Sequence, residues 1–71
     1  MSGYIVAALN VPRGRFAEVD ADSYDGAWFV ARHLSKTHAG VSFGAYEVSP
    51  GEGSVLLASF LNGECRFKAA S

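Results

Sequence analysis

The sequence has little that would support covalent chemistry or membrane insertion. Cys65 is the only cysteine among 71 residues, which excludes an intramolecular disulfide, and no His/Cys set stands at zinc-ligand spacing. No apolar run approaches the roughly 18 to 20 residues of a membrane-spanning helix. The short apolar run at residues 4–9 has no basic segment before it, so a strand is predicted there and not a signal peptide. We therefore expect a cytoplasmic protein with no membrane partner.

Charge is also scarce and nearly balanced. Six Lys and Arg residues stand against seven Asp and Glu residues, for a formal net charge of −1. Such a chain has no strong field to attract a polyanion, which argues against direct nucleic-acid binding. Hydrophobic residues make up 49% of the chain, which favours a packed core over disorder. A chain of this length fits one domain, residues 1–71.

The spacing of apolar residues predicts an α+β domain in the order β-β-α-β-β-β. The helix should begin after Asp22 or Ser23, either of which can cap it, and end near residues 37–39. Asn62-Gly63 predicts a type I′ turn between the last two strands. An antiparallel sheet of four to five strands would then carry one helix on a face. The strands are predicted at residues 4–9, 41–48, 55–61 and 64–68, and residues 16–21 are predicted as a half-exposed strand or an extended lead-in to the helix.

The apolar side chains also predict which faces are buried. On the last strand, alternation places Cys65 and Phe67 toward the core. On the helix, the core stripe comprises Tyr24, Ala27, Trp28, Ala31 and Leu34, with Val30 at its margin. The strands offer more apolar side chains than one helix can cover, so either the sheet curls strongly or its second face docks something. The residues behind this expectation are Tyr4, Val6, Tyr46, Val48, Leu56 and Phe60.

Phe29 is the most informative candidate for a binding role. On the helical wheel it points away from the core stripe and lies among charged residues. An aromatic beside an arginine is typical of an interface hot spot, although a single exposed aromatic is also common without function. The candidate partner-binding residues are Phe29, Arg32, His33, Lys36 and Asp25 on the helix, with Arg13, Arg15 and Arg66 as further exposed cations that could equally be ordinary surface charge.

A second candidate is an acidic patch formed by Glu18, Asp20 and Asp22, close in sequence to Asp25. Clustered carboxylates can bind a hard cation, but the glycine and the distal glutamate of an EF-hand loop are missing. A solvated strand face is the simplest interpretation. A patch that meets a basic protein surface ranks second, ahead of a metal site.

The sequence offers no group of residues that predicts catalysis. His33, His38 and Cys65 are the only residues that could form an activated nucleophile, and Cys65 is better explained as a small buried hydrophobe. No paired acid and base and no cofactor fingerprint is present. We expect a protein that is not an enzyme, has no catalytic residues and binds neither a metal nor a cofactor.

The predicted arrangement resembles the small phage-encoded anti-CRISPR proteins that inhibit type I CRISPR-Cas systems, in particular those with one helix on a five-stranded sheet. The likeness spans about residues 19–68, and the chain departs from it in having fewer basic residues and Phe67 where those proteins carry a tryptophan. The resemblance implies a stoichiometric inhibitor in the bacterial host cytoplasm. Such an inhibitor docks on a Cas subunit of the crRNA-guided surveillance complex, Cascade, and blocks target DNA binding. The residues that carry the likeness are Ala31, Leu34, Val55, Leu57, Ala58, Gly63 and Phe67.

Two other hypotheses remain open. The chain could be a small structural or adaptor module that forms a homodimer through the open sheet face, so both a monomer and a homodimer are compatible with the sequence. It could also be a small metal-binding or nucleic-acid-binding protein. A protein-binding inhibitor agrees best with the exposed aromatic and the absence of catalytic groups.

Overall fold

The fold is an α+β domain, seen in a computed structural model that describes residues 3–12 and 14–69. Within those residues it has one helix and five strands, in the predicted order β-β-α-β-β-β. The second strand is shorter than the sequence predicts, because the ring of Phe16 turns away to pack 5.5 Å from that of Phe43. The elements are β1 (Gly3–Ala8), β2 (Val19–Ala21), α1 (Tyr24–Thr37), β3 (Phe43–Ser49), β4 (Gly53–Leu61) and β5 (Glu64–Lys68).

The strands form one antiparallel sheet in the order β2-β1-β3-β4-β5. β3 is therefore the central strand, and β2 and β5 are the two edges. Helix α1 crosses from the edge strand β2 to β3 and packs chiefly over β1, β3 and β4. It covers one face of the sheet; we call the other face the open sheet face.

Local hydrogen bonds explain where the helix and the last hairpin begin and end. The Ser23 hydroxyl accepts a hydrogen bond from the Gly26 amide at 3.1 Å, which confirms Ser23 as the helix cap. Asn62 and Gly63 have φ values of 54° and 82°, both positive, as a type I′ turn requires. The predicted signals for the helix start and for the final turn are thus both confirmed.

The core between helix and sheet is small. Four of its buried hydrophobic residues are alanines, so the helix backbone sits close to the sheet and few large side chains fit between them. Half-buried Trp28, Val30 and Leu34 extend this core. In the described part of the chain, the buried hydrophobic residues are Val6, Ala27, Ala31, Phe43, Ala45, Ala58 and Phe60, and Ser35 is buried with them.

Two β-bulges alter which residues face the helix. In the β4–β5 pair, Cys65 lies opposite Phe60 but Phe67 lies opposite Ser59, so Arg66 is an extra residue. Cys65 therefore shares the helix side with Phe60, while Phe67 is on the open sheet face. The prediction that Cys65 and Phe67 both face the core is wrong: Cys65 is exposed and Phe67 is 46% exposed, because strict alternation fails at the bulge and an edge strand reaches past the helix.

Among the described residues, no helix is both long and apolar enough to cross a membrane.

Candidate functional site

The outward face of α1 holds five of the predicted partner-binding residues together. We call Asp25, Phe29, Arg32, His33 and Lys36 the helix surface. All five are exposed, and Phe29 is 65% exposed, the highest value among the large hydrophobic residues that the structure describes as exposed. The helical periodicity thus places these side chains correctly, since they lie on the turns opposite the buried Ala27 and Ala31.

Trp28 packs against the core, as the sequence predicts, and it also borders the helix surface. Its ring lies 6.1 Å from that of Phe29 at an interplanar angle of 81°, and 4.8 Å from that of the buried Phe60 at 85°. Trp28 therefore packs on the core and also supports Phe29 with a favourable edge-to-face contact. The sequence signal that could have identified it is the Trp28-Phe29 pair, in which one ring lies at the margin of the core stripe.

The cationic side of the helix surface is held against the β4–β5 hairpin. The Arg32 Nε donates a hydrogen bond to the Gly63 carbonyl at 3.4 Å, and the aliphatic part of Lys36 lies against the α-carbon of Gly63. Between them in space, the buried Ser35 hydroxyl accepts a hydrogen bond from the Gly63 amide at 2.9 Å. Partly ordered cations lose less conformational freedom when a partner binds.

The other predicted cations do not join the helix surface. Arg15 lies on the β1–β2 connection with its guanidinium 5.9 Å from the centre of the Phe16 ring. Arg66 is the bulge residue of β5 and lies 3.8 Å from Glu64, with both side chains well exposed. Arg13 lies outside the described residues. Arg15 and Arg66 therefore lie in separate environments and are not part of the helix surface.

The three acidic residues are exposed but spread along the chain. Glu18 borders a cleft of about 750 Å³ next to Ile5, and Asp20 is paired with Ile5 in the sheet register. Asp22 comes just before the helix cap. In residues 3–12 and 14–69, no group of three or more His, Cys, Asp or Glu side chains is placed to hold a metal ion.

The histidines and the cysteine have separate environments. His38 is stacked edge-on against Phe16, with ring centroids 4.9 Å apart. The Cys65 thiol donates a hydrogen bond to the Phe67 carbonyl at 3.3 Å. His33 is on the helix surface, where it is exposed. These contacts do not bring a histidine to the thiol as an activating base.

The open sheet face is largely apolar. Gly44 lies at its centre, where an added Cβ would stand 2.7 Å from Leu56 Cδ1 and 3.2 Å from the Leu9 methyl carbons. The β3–β4 bulge adds a further leucine, because alternation from the buried Ala58 puts Leu57 on the same side as Leu56. The apolar residues that the register places here are Ile5, Ala7, Tyr46, Val48, Leu56, Leu57, Leu61 and Phe67.

This arrangement answers the expectation of excess apolar side chains. Tyr46, Val48 and Leu56 are on the open sheet face, as the register with Ile5 and Gly3 shows. The other side chains behind that expectation, those of Tyr4, Val6 and Phe60, contribute to the helix-side core. The second face thus remains apolar and no described helix or strand covers it, although the connection between β1 and β2 forms one wall of a cleft of about 750 Å³ over its Ile5 and Tyr46 side.

Compared with protein-family models, curated proteins and solved structures, the chain gives no match.

Proposed function

We propose that this chain works as a non-enzymatic binding protein that docks on a protein partner through the helix surface. The observation that carries the proposal is the 65% exposure of Phe29, held edge-on by Trp28 and flanked by Arg32. Tryptophan, arginine and large aromatic anchors supported by a packed core dominate the binding energy of protein interfaces. A single exposed ring without such support would be a weaker candidate.

The charges around Phe29 favour a protein partner of mixed charge. Asp25 stands toward the start of α1, and Arg32, His33 and Lys36 stand toward its end. A surface with both signs selects a partner by complementary contacts and is a poor generic binder of polyanions. This agrees with the net charge of −1 for the whole chain.

The partner we propose is a Cas subunit of a type I crRNA-guided surveillance complex, so that the bound chain blocks target DNA. What supports this choice is the resemblance to anti-CRISPR proteins, whose implied architecture of one helix on a five-stranded antiparallel sheet is the architecture found here. The chain would act stoichiometrically, because its contribution is a shaped surface and no bond is made or broken.

The experiment is a pull-down with purified type I surveillance complexes, followed by a target-DNA binding assay on each complex that is retained. We expect Phe29→Ala to weaken the association by about 30-fold or more, as expected for loss of a hot-spot residue of roughly 2 kcal/mol. Val55→Ala is the matched control, because Val55 is 58% exposed on a different element. We expect it to bind as the wild type does.

Two results would refute parts of the proposal. Failure to associate with any type I complex would remove the proposed partner. Association that Phe29→Ala leaves unchanged, with both variants folded by circular dichroism, would remove the helix surface as the docking site.

A further inference from the structure

We propose that two copies of this chain form a homodimer by stacking their open sheet faces, with both helices outside. This surface lies on the opposite side of the sheet from the helix surface and does not depend on the function proposed above. The argument rests on the size of the face, the size of the core and the positions of the charges.

The outline of the molecule sets an upper limit on this face that is just large enough for a stable dimer. The two longer dimensions of the molecule are 33 and 26 Å, which bounds one face at roughly 860 Å², against about 800 Å² per partner in a standard stable interface. A dimer would therefore use nearly the whole face. A second copy presents a surface of the same extent and the same apolar composition, and two sheets stack face to face at about 10 Å with interdigitating side chains.

The small core gives a physical reason for this stacking. Val6, Phe43 and Phe60 are the large hydrophobic side chains that are fully buried among the described residues, and the other buried hydrophobic residues are alanines. Meanwhile Phe67 stays 46% exposed and Leu9 37% exposed on or beside the open sheet face. Small domains gain much of their missing burial by association, and the dimer converts this face into a second core.

The charges on the face are compatible with a twofold axis that lies between the two stacked sheets and runs parallel to the central strand β3. Such an axis lays the β2 edge of one copy over the β5 edge of the other. The β2 edge carries the carboxylates of Glu18 and Asp20, and the β5 edge carries Arg66 with Glu64 near the hairpin. Glu18 would follow in register opposite Ala7, in the row that runs through Gly44 and Ser59 to Phe67, the chain neighbour of the bulge residue Arg66. The Glu18 carboxylate of one copy would therefore approach the edge of the other copy that carries Arg66.

Sedimentation equilibrium tests the dimer. We expect the wild type to have about twice the 7.5 kDa mass of one chain at micromolar concentration. Phe67→Glu should lose the dimer and run as a folded monomer, since Phe67 is already 46% exposed and lies on an edge strand. Val55→Glu is the matched control: it adds the same charge on the helix side of the sheet, and it should remain a dimer.

Leu56→Glu places a charge at a second position on the open sheet face and should also be monomeric. If Leu56→Glu fails to fold, the result for Phe67→Glu alone decides whether the open sheet face forms the dimer. A monomeric wild type at 100 μM or above, or a dimer that survives Phe67→Glu, would overturn the proposal. For the axis, Glu18→Lys should weaken the dimer by about two- to thirtyfold at low salt, the range of two exposed ion pairs, because a twofold dimer contains the pair twice. The double variant Glu18→Lys/Arg66→Glu should recover the dimer affinity of the wild type. If the free-energy changes of the two single variants simply add in the double variant, the twofold arrangement is refuted.

Discussion

The hydroxyl of Ser35 should contribute more to stability than any other single side-chain oxygen in the described structure. Ser35 is fully buried on the core side of α1. Its hydroxyl donates to the Arg32 carbonyl at 2.7 Å and accepts from the Gly63 amide at 2.9 Å. It therefore joins the last turns of the helix to the tip of the β4–β5 hairpin.

Replacing Ser35 with alanine removes both bonds and leaves the Gly63 amide without its acceptor. A buried donor deprived of its partner costs about 1–3 kcal/mol, whereas losing the bond to Arg32 costs little because that carbonyl stays within the helix. The substitution leaves almost no cavity. We expect a loss of about 2 kcal/mol, which lowers the melting temperature by roughly 8–16 °C for a domain of this size.

Thermal and urea unfolding followed by circular dichroism measure this loss. Ser54→Ala is the matched control, because Ser54 is exposed on β4 and its substitution should change stability by less than about 0.5 kcal/mol. Amide exchange at Gly63 should also speed up in Ser35→Ala. A stability within 0.5 kcal/mol of the wild type would show that the hairpin does not depend on this hydroxyl.

Two further substitutions test the sheet. Gly44→Ala should cost about 1 kcal/mol in urea unfolding, because its Cβ would stand 2.7 Å from Leu56 Cδ1 and push that side chain outward; unchanged stability would contradict this close approach. Cys65→Ser should change stability by less than about 0.5 kcal/mol and the thiol should react fully with Ellman's reagent in the native state; a protected thiol would show that Cys65 is buried after all.

Local chemistry explains why the order of elements and the helix surface could be predicted. The Ser23 cap and the Asn62-Gly63 turn depend on a few neighbouring residues, so sequence specifies them directly. The 100° step of a helix then places Phe29 outward once the buried alanines are recognised. These inferences need no knowledge of distant contacts.

The bulges and the role of Ser35 could not be predicted in this way. A bulge arises when one strand carries an extra residue opposite its partner, so the side of the sheet on which Phe67 lies depends on its pairing with Ser59 and not on its own neighbours. On a helical wheel Ser35 is simply a polar residue, which would be expected on the surface. Its burial is favourable because the Gly63 amide, at the tip of the hairpin, donates a hydrogen bond to its hydroxyl. Both features come from tertiary pairing.

The two proposed surfaces can be separated by mutation, because a single sheet lies between them. Phe29 is on the outer side of α1, and Phe67 is on the far side of the sheet from that helix. Phe29→Ala should therefore weaken partner binding while keeping the dimer, and Phe67→Glu should break the dimer while keeping the binding of one chain to one partner subunit. If the dimer carries two outward helix surfaces, a partner with repeated subunits would bind it with added avidity. Phe67→Glu would then weaken binding to a repeated target while leaving binding to one isolated subunit unchanged, and equal losses on both targets would show that the sheet face itself contacts the partner.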